Sequence, residues 1–496
     1  MKSDSSVYRP NRNMEAFIDI APGFGVSRII TGLWQIADIE RKEGPLDVAA
    51  TASHLSNYVA SGFTTFDMAD HYGSSELIAG HFRNHHAHDD RTQLLTKWVP
   101  PPGKISRESV REAVQASLAR MQSQMIDLMQ FHAWRYADPS WLDSLFYLDE
   151  LRQEGLIRFL GVTNFDAVHL KMALDSGIPI VSNQVCHSLI DRRANDDLRR
   201  VCEDYPVKLL AFGTLAGGFL TDKWHKQKEP ANDDLTTWSE MKYKRFIDVA
   251  GGWEVFQNLL NVCKSIADKY GVSIANIACH YVLQNPAVAA IIVGARLGQS
   301  EHIKQNQKVL NLDLDTEDLE SIWDAQKQLQ PIPGDCGDEY RKPPFLTASG
   351  DLSHHLDEFP DTFEPVAINN FRSKVSSGTK WEGLASYSRA VRDGNRIFVS
   401  GTTATHGNIL IGGDDAASQT HFVIDKIEGA IESLGGSLND VVRTRVYINN
   451  IEDWEPIARA HGHRFKQIDP ANTLVQAGLI GDGYLVEMEA EAMIRT

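Results

Sequence analysis

Four polar side chains in the first third of the chain have the types and spacing to deliver a proton to a carbonyl oxygen. Asp67 and Tyr72 lie in the run Phe-Asp-Met-Ala-Asp-His-Tyr-Gly, Lys97 in Leu-Leu-Thr-Lys-Trp, and His132 in Asp-Leu-Met-Gln-Phe-His-Ala-Trp. A tyrosine with a free pKa of ~10 is a weak acid at neutral pH, and a neighbouring lysine ammonium stabilises its phenolate and brings that pKa toward the working range. Asp67 would keep Lys97 charged and oriented, and His132 would donate a hydrogen bond that positions the carbonyl oxygen. Taken singly each is weak evidence, since a lone lysine at a strand end is usually a solvated rim charge and a lone histidine a structural donor. Four at successive strand ends, with complementary parts in one reaction, point to catalysis.

Such residues need a scaffold that brings strand ends together. From about Arg28 to Ala295, β-rich runs alternate with amphipathic helical stretches, the pattern of βα units around a parallel sheet. Eight runs stand out: Arg28 to Trp34, Thr64 to Ala69, Gln93 to Val99, Asp127 to Ala133, Phe159 to Asn164, Ile180 to His187, Lys208 to Leu215 and Ala289 to Ala295. Their number and spacing fit an α/β (β/α)8 TIM barrel, whose active sites gather at the carboxyl ends of the strands. No GxGxxG fingerprint occurs, so a nucleotide would have to bind through barrel loops.

A helical pattern over Thr316 to Gln330 ends this first unit, residues 1–330. Residues 331–380, rich in Pro, Gly, Asp and Ser, read as a linker. Residues 381–496 form a second unit. Ser386 to Arg392, Arg396 to Gly401, Val441 to Ile448, Thr473 to Leu479 and Tyr484 to Ile494 read as strands. One helical stripe comprises Val423, Ile427, Ala430, Ile431 and Leu434, and another Trp454, Ile457, Ala458, His461, Phe465 and Ile468. The order ββαβαββ gives an α+β fold with helices on one sheet face.

Composition narrows the function. With 42% hydrophobic and 23% charged residues the chain can bury a core, and at ~150 residues per domain its 496 residues allow two or three units. A net charge of −17 disfavours nucleic acid, and most of it sits on the barrel, because residues 371–496 carry 13 basic and 16 acidic side chains. No apolar run approaches the ~20 residues of a membrane span, and Met1 to Pro10 has no apolar core of a signal peptide, so a cytoplasmic location is expected. Cys186, Cys202, Cys263, Cys279 and Cys336 show no CxxC pair, so neither a metal site nor disulfides are expected.

The same motifs carry a resemblance. Asp67, Tyr72, Lys97 and His132 in their contexts, with LDELRQEGLIRFLGVTNF, SNQV, LLAFGTLAGGFLTDKW and IIVGAR, make residues 29–328 resemble the aldo-keto reductase superfamily. The resemblance implies reduction of an aldehyde or ketone with NADPH, NADH remaining possible, and with Tyr72 as general acid. It also implies that Thr163, Asn164 and Gln184 hold the nicotinamide carboxamide and that Phe212 stacks on the ring. The loop from Gly213 through Leu215 and Gly217 to Leu220 would cover the pyrophosphate, and Gly294, Ala295, Arg296 and Asn306 would surround the adenosine phosphate. The stretch from Gly294 to Asn306 runs about two residues longer than the common pattern, leaving Arg296, His302 and Lys304 as candidates for a 2′-phosphate. Trp34, Trp98 and Trp134 would wall a substrate pocket beside His71, Trp34 also touching the cofactor, and Thr221 to Phe256 is either a cofactor clamp or a surface excursion.

Residues 387–494 are similar to the reactive-intermediate deaminase (Rid/YjgF) family. The carriers are Tyr387-Ser-Arg-Ala-Val, IFVSG, SQT at Ser418 to Thr420, GGSLNDVVRTRVYI, Pro470-Ala471 and LVEMEAEAMI. That likeness implies a chorismate-mutase-like fold, a homotrimer and ligand clefts lined by Tyr387, Asn472 and Glu487. Active members place an arginine where this chain has Asn472, so a carboxylate clamp is missing there, and the expected role is oligomerisation or the binding of a neutral or amine-derived ligand. The expectation is a two-domain reductase of a small-molecule carbonyl. Imine handling coupled to the second domain, or a nicotinamide-binding sensor, are the alternatives.

Overall fold

In the computed structural model, residues 14–36, 46–86, 91–299, 301–347 and 359–495 are described, and the Met1 to Pro10 stretch lies outside them. The first two strands, β1 (Phe17–Ala21) and β2 (Phe24–Ser27), pair antiparallel as a hairpin that the sequence reading missed. The turn falls at Pro22 and Gly23, with Gly23 at φ 70°. All eight expected runs then form strands: β3 (Ile29–Gly32), β4 (Thr65–Asp67), β5 (Gln93–Trp98), β6 (Ile126–His132), β7 (Ile157–Thr163), β8 (Ile180–Cys186), β9 (Lys208–Phe212) and β10 (Val288–Gly294). Neighbours run parallel, and β10 pairs with β3 to close the barrel. Strands covered on both faces read as near-continuous apolar runs, and all seven residues of β6 are buried, with Asp127, Gln130 and His132 as its polar members. Ile20, Phe24 and Val26 of the hairpin join Ile30, Leu95, Leu128 and Leu210 in one cluster that fills the amino-terminal end. The cleft opens at the carboxyl end.

The second unit is a seven-stranded sheet. It comprises β11 (Val366–Ala367), β12 (Arg372–Val375), β13 (Ala390–Asp393), β14 (Arg396–Thr403), β17 (Val441–Ile448), β18 (Ala471–Gln476) and β19 (Val486–Met493), with the small hairpin β15 (Thr405–His406) and β16 (Ile409–Leu410) beside it. The order is β11-β12-β13-β14-β19-β17-β18. Along β19, buried residues alternate with half-buried ones as far as Ala492, the signature of a sheet covered on one face. Helices Ala416–Glu432 and Trp454–Arg464 do the covering. The first stripe is buried as expected. In the second, Ile457 and Phe465 are buried but Trp454 is 53% exposed, because the expected stripe reaches round to the side of the helix that faces away from the sheet.

The expected linker needs correction at both ends. Ile332 and Leu346 join the apolar cluster of the barrel's outer helices, and Glu339 is buried against Arg193. At the other end β12 pairs with β13, so the sheet starts before residue 381. A segment rich in proline, glycine and aspartate still packs where single apolar or charged residues find partners, as Ile332, Leu346 and Glu339 do.

The two units dock through helices Ala167–Asp175 and Ala416–Glu432. The latter is buried nearly all round, with its own sheet on one side and the barrel on the other. A Cβ on Gly429 would stand 2.5 Å from the Ala137 carbonyl, so the approach requires glycine. His169 is the centre of the seam. Its Nδ1 lies 2.8 Å from Asp166, its Nε2 lies 3.2 Å from Asp425, and its ring stacks on Tyr136. Arg464 pairs with Asp425 and, at 2.6 Å, with Glu428. Lys171 reaches Asp415 at 2.7 Å, and the Ser418 hydroxyl donates to Asp175 at 2.6 Å.

Burial alone would depress the His169 pKa, but the Asp166 and Asp425 carboxylates outweigh it and raise the pKa to about 9. A histidine raised in this way stabilises fully below its unfolded pKa of ~6.5, and that stabilisation disappears as pH rises through the folded value. The shift corresponds to about 3 kcal/mol at most. Thermal unfolding of wild type and His169→Gln should therefore differ most near pH 6 and converge as pH rises through about 9. A gap independent of pH would show that His169 is docked as the neutral ring.

Candidate active site

The carboxyl ends of the strands carry the expected groups to one place. Lys97 Nζ, buried at the end of β5, donates to Asp67 Oδ2 at 2.6 Å and to the Met68 carbonyl at 2.8 Å. Asp67 Oδ1 accepts from Gln184 Nε2 at 2.7 Å and from Gln130 Nε2 at 3.2 Å, and Gln184 also donates to Gln130 at 2.9 Å. Both carboxylate oxygens are therefore engaged, as a buried ion requires. Burial presses the Lys97 pKa below the ordinary lysine value, opposed by Asp67.

Tyr72 lies one turn beyond β4, with Lys97 Nζ 5.1 Å from its ring centre. Trp34 and His71 each contact the Tyr72 ring edge-on at 4.8 Å, and Asp70 receives His71 Nδ1 at 2.9 Å. His132 packs on Trp134 at 4.5 Å, and its Nδ1 lies 3.5 Å from Asn164 Nδ2. With the amide donating, a neutral ring keeps its proton on Nε2. Asn164 holds φ +60°, a strained value for a residue with a side chain, and strain of this kind gathers at functional sites.

These groups sit in a cleft of about 990 Å³, at the upper end of small-molecule sites. Of the residues expected there, Trp34, Asp67, His71, Tyr72, Lys97, His132, Trp134, Thr163, Asn164, Gln184, Phe212, Gly213, Leu215, Gly217, Gly294, Arg296 and Asn306 line it. Two do not. Trp98 turns into the core against Phe131 at 5.6 Å, and Leu220 is fully buried in the apolar cluster behind the loop. Both are apolar side chains whose burial was more favourable than a place on the wall. Gln184 lines the cleft but spends its amide nitrogen on Asp67 and Gln130.

Sequence reasoning missed contributors from outside the strands. Helix Trp238–Val249, opened by a Thr237–Glu240 capping box, lays Trp238, Ser239, Lys242 and Tyr243 along the cleft. Trp238 stands 6.4 Å from Trp34 across the mouth, and Gln35 Nε2 donates to Ser239 at 3.2 Å. The stretch from Thr221 to Phe256 is thus a wall of the site. Tyr340, from the expected linker, closes another side at 5.6 Å from the His132 ring. Only the capping box was visible in the sequence, and it says where a helix starts, not where it packs.

The cleft fits an extended dinucleotide. Gly213 and Gly217 hold positive φ, and a Cβ on them would meet Tyr243 and the Ser239 carbonyl, so the Gly213 to Gly218 loop lies close under the helix. The Asn164 Oδ1 atom is buried without a hydrogen-bond partner, a ready acceptor for an amide. Arg296, His302 and Asn306 lie together in the Gly294 to Asn306 stretch. Among the described residues no cluster of His, Cys, Asp or Glu could hold a metal, and no helix is long and apolar enough to cross a membrane. The five cysteines are buried free thiols.

In the second unit, Tyr387 Oη accepts from Arg389 at 3.3 Å, Arg389 also donates to the Gly401 carbonyl at 2.7 Å, and Glu487 lies against Gly401. Asn472 is elsewhere. Its side chain donates to Thr444, which bonds His461 on the helical face, whereas Glu487 pairs in register with Tyr447 on the open face. One chain therefore does not assemble the three expected cleft residues.

Comparison with known proteins agrees with this geometry. The aldo/keto reductase family profile matches residues 28–327, and the endoribonuclease L-PSP profile matches residues 378–494. Protein tas of Escherichia coli is 28% identical over 321 residues, covering 57% of this chain and 90% of that protein. The NADH-specific methylglyoxal reductase of Escherichia coli is 25% identical over 328 residues, covering 62% and 96%. An uncharacterized protein of Streptomyces coelicolor is 38% identical over 120 residues, covering 24% of this chain and 90% of that protein. With a closed barrel, a cleft at its carboxyl end and a matching profile across three-fifths of its length, the chain belongs to the aldo/keto reductase family of NAD(P)H-dependent oxidoreductases, extended by a Rid/YjgF-type unit.

Proposed function

We propose that the barrel reduces an aldehyde or ketone to an alcohol with NADPH and with Tyr72 as proton donor. The observation that carries the reading is the buried Lys97–Asp67 pair set against Tyr72 at the cleft wall, for which a purely binding site has no use. When bound, the nicotinamide cofactor supplies the hydride. Tyr72 gives its phenolic proton to the carbonyl oxygen, and the Lys97 ammonium stabilises the phenolate left behind. His132, protonated on Nε2, donates to the same oxygen. Asn164 and Thr163 would hold its carboxamide, and Phe212 would support its ring. Tyr72→Phe should lower kcat by about a thousandfold while the cofactor dissociation constant stays within twofold. Equal turnover in the variant would remove Tyr72 from the chemistry.

The choice of NADPH rests on Arg296. Its guanidinium is exposed at the cleft end and held only by long bonds of 3.4 and 3.5 Å to Gln35, so it is available to a 2′-phosphate. Arg296→Ala should weaken NADPH about tenfold and NADH little. A wild type that binds NADH more tightly than NADPH would instead align this chain with its NADH-specific relative.

The Rid-type unit is proposed to assemble the protein as a homotrimer. Of the fourteen large apolar side chains exposed among the described residues, twelve lie between Val366 and Met493. Phe398 stands on the open sheet face opposite Glu491, which pairs with Arg445 at 3.2 Å. Light scattering should give about 166 kDa, three times the 55.3 kDa chain, and Phe398→Arg should reduce it. A wild type of single-chain mass would leave the open face without its proposed partner.

A further inference from the structure

We propose that Lys242 and Tyr340 form an anion-binding subsite in the cleft, and that the carbonyl substrate carries a carboxylate. This rests on the reading of the cleft as a carbonyl-reducing site. Lys242 is only 6% exposed, lines the cleft, and donates from Nζ to Tyr340 Oη. Its ammonium lies 5.2 Å from the Phe212 ring centre and 4.4 Å from that of Tyr340.

Other buried lysines of the barrel have carboxylates. Lys97 has Asp67, and Lys244, two residues along the same helix, has Glu229 at 2.7 Å and Asp248. Among the described residues no carboxylate lies within ion-pair distance of Lys242. The buried carboxylates of that region, Asp191 and Glu339, both pair with Arg193, at 2.7 and 2.8 Å. A buried ammonium whose one partner is a phenol is costly, and an anion arriving in the cleft removes that cost.

The subsite is fixed in place. Tyr340 belongs to the short helix Asp338–Arg341, entered through Gly337 at φ 87°, where a Cβ would stand 2.0 Å from the Asn164 carbonyl. Arg341 Nε donates to the Ala133 carbonyl at 2.9 Å. These contacts seat the segment on the ends of β6 and β7, with the Tyr340 ring 5.6 Å from that of His132. The Lys242 ammonium carries three N–H donors, of which one goes to the Tyr340 oxygen, and the others can meet the oxygens of a carboxylate. Trp34 and Trp134 line the cleft with apolar surface, which suits the carbon chain between the two polar ends. Lys242 adjoins Phe212 and, through Tyr340, His132, so the geometry favours a substrate group over a cofactor phosphate.

The test compares a series of ω-oxo acids with n-alkanals of matching length. Wild type should favour the acids at least tenfold in kcat/KM, and Lys242→Met and Tyr340→Phe should each erode that preference about tenfold, mainly through KM for the acids. Preference for the alkanals in wild type would overturn the proposal. So would variants that melt like wild type and keep the acid preference. Weakened NADPH binding, read from cofactor fluorescence, with the acid preference intact would overturn it too and assign Lys242 to a cofactor phosphate. If wild type reduces neither series, the reductase reading fails by itself, and a titration with butanoate followed by tryptophan fluorescence decides the subsite. Saturable binding lost in Lys242→Met supports it, and identical titrations overturn it.

Discussion

A lysine ammonium buried in a barrel mouth has to be neutralised, and the way this chain neutralises Lys97 organises the rest of the site. One carboxylate oxygen of Asp67 takes the ammonium and the other takes two side-chain amides, from Gln130 and Gln184. The four residues come from β5, β4, β6 and β8, so a single charge links four strands at the end where chemistry occurs. Removing any partner would leave a polar group desolvated and unpaired, which costs more than the bond itself. The network therefore sets the position of Lys97 relative to Tyr72 without help from solvent.

Around that fixed point the cleft is finished by segments that are not part of the barrel. Helix Trp238–Val249 and the segment carrying Tyr340 lie far apart in the chain, and they meet at Lys242 and Tyr340, 98 residues apart. Their placement depends on glycines at contact points. Gly217 admits the helix over the loop, and Gly337 admits the post-barrel segment onto the end of β7. In both cases backbone replaces a side chain so that another element can approach.

The second unit is joined to the first by more than a tether. Helix Ala416–Glu432 has no solvent face, and the charges along the seam, from Lys171–Asp415 to His169 between two aspartates, are paired across it. The post-barrel segment runs from the active-site mouth toward this seam, since Arg341 lies over Tyr136, the ring that stacks on His169. The docking surface and the cleft thus share a wall.

Much of this was legible in the sequence. The eight barrel strands follow from apolar runs separated by helical periods, and Asp67, Lys97 and His132 sit at strand ends because the runs stop there. Local pattern determines which residues become strands, and closure of eight parallel strands then determines that their ends converge. What the sequence could not give is which distant segments settle on that mouth. The hairpin β1–β2, the inward turn of Trp98 and Leu220, the seating of Trp238, Lys242 and Tyr340 on the cleft, and the separation of Asn472 from Glu487 all depend on contacts between residues far apart in the chain. Such contacts are chosen by shape, by burial and by which charges remain to be paired, and these quantities exist only once the backbone has been placed in three dimensions.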